Sequence, residues 1–439
     1  MALHAIRCSE RLAWQHPGKL PKFLFKDSCP TEGALAELLK IRKTTFEGFG
    51  PSILSAVARE KLNASPIPKD RMQARAMLHD LCPVTPGVYG WLDNNNQICY
   101  VGKSKCLRKR LLSYFAKNPP DKKTIRIVQH SHRLVWEPVS HELLALIREQ
   151  ELIYRWRPEF NTQGQPVKRQ PAFLCISGGV AANVFFTRRV TPKAEFSIGP
   201  ISGTGRLRAA VESMNQVFRL RDCPDKTQFS FDEQLQLFDN PISAKCIRYE
   251  LGSCPGPCAG LCSREDYMAN VQKAMDFLVG GVMSKKTLDR LQLQMKNASF
   301  SQNFERATVV RDHFLNLRWL ARRLKQLESA ERTLNGILPI TGKRYQKLWL
   351  ILRGGRLVGS AAAPRDKKRF AAAIEKLSSI RNQDLGLPMN LMEMNMQMIV
   401  MSWFRKYPKH KNQLISFDEA IDMCKNTNNH GLSSREREA

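Results

Sequence analysis

Cys223 is followed by Cys246, Cys254, Cys258 and Cys262, the last four inside the run CIRYELGSCPGPCAGLC. Pro255, Gly256 and Pro257 force a tight turn that brings Cys254 and Cys258 together. Soft thiolates on a Gly/Pro-rich loop suit an iron–sulfur cluster or zinc. The spacing fits neither a standard zinc finger nor the bacterial ferredoxin run, so the residues alone point to a metal without choosing between the two. An amphipathic helix over 205–220 leads into this loop, with Leu207, Val211, Met214, Val217 and Phe218 on one side. Before it, Ala172 to Ser177 and Ala182 to Thr187 read as short strands, and Ser197 to Pro200 as a turn.

A second stretch, Pro86 to Asn161, holds a denser set of polar residues. Val88, Tyr89 and Trp91 suit a strand, as do Ile98, Tyr100 and Val101. Asp93 to Asn96 lie between them and favour a turn, so the two form a hairpin. Ser104 can cap a helix running to Ala116, which puts Arg110 and Tyr114 on one face. A third strand is expected at Leu134 to Pro138, and a second helix from His141 to about Trp156, stopped by Pro158.

This β-β-α-β-α order resembles the GIY-YIG nuclease domain. Gly87-Val88-Tyr89 and Tyr100-Val101-Gly102 stand for the name-giving tripeptides, and Lys103, Arg110, Glu149 and Asn161 follow at matching positions. Singly, a strand tyrosine is ordinary packing and a helical glutamate is ordinarily solvated; the ordered set carries the likeness. It implies a divalent-metal-dependent phosphodiester hydrolase. Glu149 would hold Mg²⁺ or Mn²⁺, since one carboxylate with waters suffices. Arg110 offers a planar fork to the scissile phosphate. The resemblance makes Tyr89 and Tyr100 the groups that position and deprotonate the attacking water, with Lys103 placed to lower their pKa. Tyr114 and Asn161 are supporting contacts.

The chain has 439 residues and a formal charge of +29, from 69 Lys and Arg against 40 Asp and Glu. Such an excess attracts a polyanion, and nucleic acid is the natural partner. No apolar run reaches the length of a membrane span. The first residues do not read as a secretory signal, so the twelve cysteines are expected as thiols or metal ligands in a cytoplasmic setting.

Phe218 to Cys223, then Cys246 and Cys254-Pro255-Gly256-Pro257-Cys258, resemble the cysteine region of the bacterial excision-repair subunit UvrC. That family implies a four-iron four-sulfur cluster on Cys223, Cys246, Cys254 and Cys258, with Zn²⁺ the alternative. The stretch between Cys223 and Cys246 is longer than the family's usual gap, which could carry Cys223 out of reach. Ser263 can cap a helix that Gly280-Gly281 stops. Residues 284–329 resemble the UVR helical hairpin, and Phe304, Glu305, Ala307, Arg311 and Asp312 would dock a UvrB-like subunit. Leu348 to Val358 read as a hairpin with a glycine turn, followed by helices over 369–380 and 391–404.

The fold class expected is α+β and multidomain. Residues 1–80 form a helical extension, with helices over 31–41 and 51–62. Residues 81–165 form the nuclease domain, 166–283 a cysteine-rich metal-binding middle, and 284–329 the UVR hairpin. Residues 330–439 form a small α/β remnant with a mobile tail. The stretch after Ser360 is too short for the second, ribonuclease-H-like nuclease and the helix-hairpin-helix repeats of a full-length UvrC. The expected function is one metal-dependent DNA incision, 3′ of a lesion, in nucleotide excision repair and the SOS response. The alternatives are a non-cleaving scaffold and a GIY-YIG nuclease for other nucleic-acid structures.

Overall fold

The computed structural model describes residues 45–55, 58–119, 121–161, 171–189, 191–224, 226–234, 246–341, 347–383, 386 and 391–433. The helix expected over 31–41 and the tail beyond 433 lie outside them. The described residues fall into two compact units, one of residues 171–329, the other joining 45–161 to 330–433.

In the second unit, residues 45–60 contain no α-helix among those described, contrary to the helix expected over 51–62. They form an irregular strap instead. Gly50 has φ +70°, and a Cβ there would lie 1.7 Å from the Arg155 guanidinium. Next come β1 (Asn63–Pro66), α1 (Arg71–Leu81), β2 (Gly87–Leu92), β3 (Ile98–Ser104), α2 (Leu107–Tyr114), α3 (Lys122–His130), β4 (Arg133–Pro138) and α4 (Glu142–Trp156). The four strands form an antiparallel sheet in the order β1-β4-β2-β3, so the sheet reaches upstream of residue 81. The β2–β3 turn is local chemistry: Asp93 Oδ1 accepts from the backbone N–H of Asn95 and Gln97, each at 2.9 Å, and Asn96 takes φ 56°. Ser104 does not cap α2. Its Oγ bonds the N–H and C=O of Cys106, and Cys106 begins the helix without a side-chain cap.

The back of α4 is ionic and dry. Arg148 and Glu151 are fully buried. Arg148 bonds Glu137 at 3.0 Å, Glu151 at 2.8 Å, and the carbonyls of Pro51 and Gly50 at 2.8 and 2.9 Å. Glu151 in turn accepts from Ser52 Oγ and the N–H of Ile53. Removing one member of such a network strands its partners and costs about 3–5 kcal/mol.

The other unit begins with β5 (Ala172–Ser177), β6 (Val184–Thr187) and β7 (Ala194–Ile201), antiparallel in the order β6-β5-β7. Ser197 to Pro200, expected as a turn, are part of β7; an edge strand tolerates proline because its outer N–H groups need no partner. Then follow α5 (Thr204–Val217), the single turn α6 (Ile247–Glu250), α7 (Arg264–Val279), α8 (Val282–Phe300) and α9 (Phe304–Thr333). Asn215 on α5 clamps the edge strand β6, bonding both the N–H and C=O of Val184 at 3.0 and 2.8 Å.

The 45–161 unit is completed by β8 (Gly336–Thr341), β9 (Lys347–Arg353), β10 (Arg356–Ala362), α10 (Lys367–Asn382), α11 (Leu391–Lys406) and α12 (Phe417–Ser433). Their sheet runs β10-β9-β8 and is apolar on both faces, as the period of two dictates. Leu338, Leu348, Leu350 and Leu352 share a core with α4 and α11, through Leu143, Leu144, Ile147, Met392, Met396, Val400 and Trp403. Ile337, Trp349 and Ile351 meet Leu377, Ile380, Phe417 and Ile421 of α10 and α12. Among the described residues no helix is long and apolar enough to cross a membrane.

Candidate functional site

The first tyrosine of the site is set by β2. Tyr89 is 1 % exposed, and its ring fills space that only a glycine opposite leaves open: a Cβ on Gly102 would sit 2.5 Å from its phenol. Helix α2 brings two more groups to it. The Tyr89 and Tyr114 hydroxyls are 3.0 Å apart, and Arg110 donates from Nε to the Tyr89 oxygen at 3.1 Å and from a terminal nitrogen to Tyr114 at 3.4 Å. The Arg110 guanidinium also lies 4.9 Å from the centre of the Tyr114 ring. Tyr100, on β3, completes the group with its ring 6.2 Å from that of Tyr89.

Glu149 reaches the same place from α4. The backbone N–H of Lys103 donates to its carboxylate, the Lys103 ammonium attracts it, and its charge is felt at Tyr100. Burial outweighs these attractions and pushes its pKa up to about 7. A carboxylate held above its ordinary value by burial is one that a cation would complete, so the donor set fits a single divalent ion. The phenols also depart from expectation. Burial raises Tyr89, Tyr100 and Tyr114, and the attraction of Arg110 only partly offsets it. Lys103 acts on Glu149, through its ammonium and its backbone N–H.

Asn161 is brought close but faces the backbone. Its amide bonds the N–H and C=O of Val101 at 2.8 Å each, so it fastens the outer edge of β3 between Tyr100 and Lys103. Two groups escaped the sequence reading. The Lys123 ammonium of α3 lies 5.0 Å from the Tyr100 ring centre. Lys105 pairs with Glu142 at 2.8 Å and with the Tyr407 hydroxyl at 2.9 Å. The basic run at Lys122-Lys123 was a signal for the first; nothing local signals the second.

The cysteine region is organised by Arg248. It pairs with Asp222 at 2.8 Å and bonds Ser253 O at 2.9 Å, while the N–H of Cys254 donates to its carbonyl. The residues beside Cys223 and Cys246 therefore meet across the long insertion. Residues 235–245 of that insertion, Leu235, Leu237 and Phe238 included, lie outside those described. Burial raises Cys254 and Cys258, and both are raised further by the charges of Cys223 and Cys246. Cys262 is pushed up to about 11 by burial and then by Cys254. Even so, among the described residues no three His, Cys, Asp or Glu side chains stand close enough to hold one metal ion.

Residues 85–162 match the family described as the UvrC-like GIY-YIG domain, and residues 173–277 match the UvrC/Cho excinuclease middle domain. In these two regions the chain resembles UvrC proteins. It is 29 % identical over 280 residues to the UvrABC system protein C of Pseudomonas putida, covering 64 % of this chain and 44 % of that protein. The Carboxydothermus hydrogenoformans protein of the same name is 30 % identical over 281 residues, covering 63 % and 44 %. The chain thus spans less than half the length of these UvrC proteins. The GIY-YIG N-terminal endonuclease domain of UvrC from Thermotoga maritima, solved bound to magnesium, aligns at 35 % identity, covering 20 % of this chain and 96 % of that one, with a TM-score of 0.19. The UvrC-type GIY-YIG match holds all seven residues singled out above, Tyr89 to Asn161. The middle-domain match holds the five cysteines.

Proposed function

We propose that the chain is a UvrC-like DNA endonuclease of nucleotide excision repair that hydrolyses one phosphodiester with a divalent cation, Mg²⁺ or Mn²⁺, at Glu149. The cluster of Arg110, Tyr89 and Tyr114, with Tyr100 beside it and the half-buried Glu149 within electrostatic reach of Tyr100, carries this reading. The cation, when bound, supplies Lewis acidity at the departing oxygen. Arg110 presents a fork to the phosphate and keeps the Tyr89 oxygen oriented. The buried phenols stay protonated and orient the attacking water. Water adds to phosphorus and gives up a proton to solvent as the bond to the 3′ oxygen breaks; that oxygen takes up a proton from solvent, leaving a 3′-hydroxyl and a 5′-phosphate. Asn161 keeps β3 in place so that Tyr100 and Lys103 hold their positions.

The resemblance to UvrC supports a cut 3′ of the lesion and the cytoplasmic setting. A UvrB-like partner at the α8–α9 pair is supported by exposure: Phe304 is 65 % exposed, Glu305, Arg311 and Asp312 are exposed, and Ala307 is half-buried. Phe300, at the same turn, is 93 % exposed. For Cys223, Cys246, Cys254 and Cys258 we propose an iron–sulfur cluster, with zinc the alternative. The resemblance to UvrC supports it, and so does the Arg248–Asp222 ion pair, which joins the segments that carry Cys246 and Cys223.

The test is incision of a labelled duplex bearing one bulky adduct, with Mg²⁺, with and without a UvrB-type subunit. A single partner-dependent cut 3′ of the adduct is expected, and Glu149→Gln should lower it at least about a thousandfold while DNA binding persists. Retained DNA and partner binding with no cut under Mg²⁺ or Mn²⁺ identifies a scaffold instead. Cutting that needs neither lesion nor partner identifies a nuclease for other structures.

A further inference from the structure

Helix α3 fills the connection between α2 and β4, and the chemistry above does not use it. Its sequence, KKTIRIVQH, contains no acidic residue. Thr124 and Ile127 anchor its inner face, while Lys122, Lys123 and Arg126 are exposed. Two lysines in a first turn work against the helix dipole, a small cost that local stability does not explain. Asp121, the one neighbouring carboxylate in sequence, is committed as the N-cap, accepting from the N–H of Thr124 at 2.6 Å. Among the described residues no carboxylate forms an ion pair with Lys122, Lys123 or Arg126.

The cations are placed rather than dispersed. Lys123 stands over the Tyr100 ring, at the edge of the site. One turn further, Arg126 stands over the Phe160 ring at 5.8 Å, and His130 meets the same ring edge-on at 5.6 Å. Phe160 is itself fixed, because its N–H donates to Cys99 O on β3 and Asn161 clamps Val101. One aromatic platform, Tyr100, lies on β3, and the other, Phe160, is hydrogen-bonded to that strand. Residues 123 and 126 are about 4.5 Å apart along the helix axis, and their long side chains can reach two neighbouring phosphates of one strand.

We propose that Lys123 and Arg126 form a rail for the DNA strand beside the scissile phosphate, each contacting one backbone phosphate. This rests on the DNA endonuclease reading and names the surface that orients its substrate. Lys123 is a positioning residue: its cation holds the flanking phosphate against the Tyr100 platform, and the reacting phosphate then falls at Arg110. Contacts of this kind confer register on the strand without sequence preference.

The test uses the full chain and the labelled adduct duplex, with binding followed by fluorescence anisotropy across a salt series in Ca²⁺. Lys123→Ala/Arg126→Ala should reduce the slope of log K against log salt by about 2, and weaken binding about tenfold at moderate salt. Lys367→Ala/Lys368→Ala, which removes the same charge from α10, should leave both unchanged. Lys123→Arg/Arg126→Lys should restore the slope, which separates lost phosphate contacts from a damaged fold. A wild-type slope in the double alanine variant, or an equal loss in the α10 control, overturns the rail. The parent reading is judged separately, by wild-type incision and its loss in Glu149→Gln. If that incision stands while the double alanine variant keeps its slope, the rail alone fails.

Discussion

Both units fasten an edge strand with a buried asparagine, Asn161 on Val101 in one and Asn215 on Val184 in the other. Each amide offers one acceptor and one donor, as a neighbouring strand would. What the clamps serve differs. Asn161 holds the strand that carries Tyr100 and Lys103, so its bonds preform a site whose groups are already in contact. Asn215 holds a strand without chemistry-bearing residues, and the cysteines lie further along, where Arg248 ties loop to loop. The tyrosine–arginine–glutamate site is built by protein contacts alone. The thiols are gathered only to electrostatic range, and a bound group would have to complete them. The comparison also bears on Asn161 itself: its amide bonds the backbone of an edge strand, as that of Asn215 does in the other unit.

If the first site is preformed, a small intrusion should damage it most. Gly102→Ala drives a methyl into the Tyr89 phenol, and incision should fall about a hundredfold, as for a displacement near 1 Å, with DNA binding retained. Near-normal turnover would show that the phenol can move at no cost, and the contrast between the regions would fail.

The cysteine region should respond to loss of a ligand rather than of a contact. Cys254→Ser should lower bound iron, or zinc, by metal analysis and lower the melting temperature by several degrees, consistent with about 2 kcal/mol. The Gly102→Ala variant should keep its full metal content there. Broad visible absorption after anaerobic reconstitution with iron and sulfide would select the cluster, and a colourless one-metal protein zinc. No metal in either form would remove the cysteine half of the comparison.

The smallest effect concerns the mounting of α4. His141 caps this helix through Nδ1 on the N–H of Leu143, and packs against Trp403 and His410. Burial, and then the charge of His410, lower its pKa to about 4, against the opposing pull of Glu142. A histidine held neutral binds fewer protons folded than unfolded between pH 4 and 6.5, so stability rises with pH through that window and is lost as pH falls. The size is roughly 2 kcal/mol after allowance for partial exposure, or about 5 °C in melting temperature. His141→Asn, which keeps a capping group without the titration, should flatten the dependence; an unchanged pH profile would assign it elsewhere.

What the sequence made legible was local or ordered. Asp93 to Asn96 announce their turn because the bonds close within four residues. Tyr89, Tyr100, Arg110 and Glu149 announce themselves as a set, and the fold does bring them together. The strap was read as a helix because its partners are remote: Arg148 meets the carbonyls of Pro51 and Gly50 across 97 and 98 residues. Glycine and proline at 199 and 200 suggested a turn, yet an edge strand accommodated them. The tyrosine pKa expectation failed because burial, which a linear pattern does not reveal, outweighed the nearby cations. Residues 330–439 read as a small remnant, whereas α11 shares the core of α4.

The division of the chain also sets an order of assembly during synthesis. The sheet of Asn63–Pro138 and helix α4 leave the ribosome early, but Leu143, Leu144 and Ile147 must wait for Met392, Met396 and Val400 to be made. Ser55, whose N–H donates to the Ser360 hydroxyl, waits across 305 residues. Throughout that interval a nascent chain carries a bare apolar helix face while the intervening unit folds within it. Closure of that core therefore waits for translation of residues 336–404, and a ribosome stalled before them would hold an adhesive intermediate instead of a finished core.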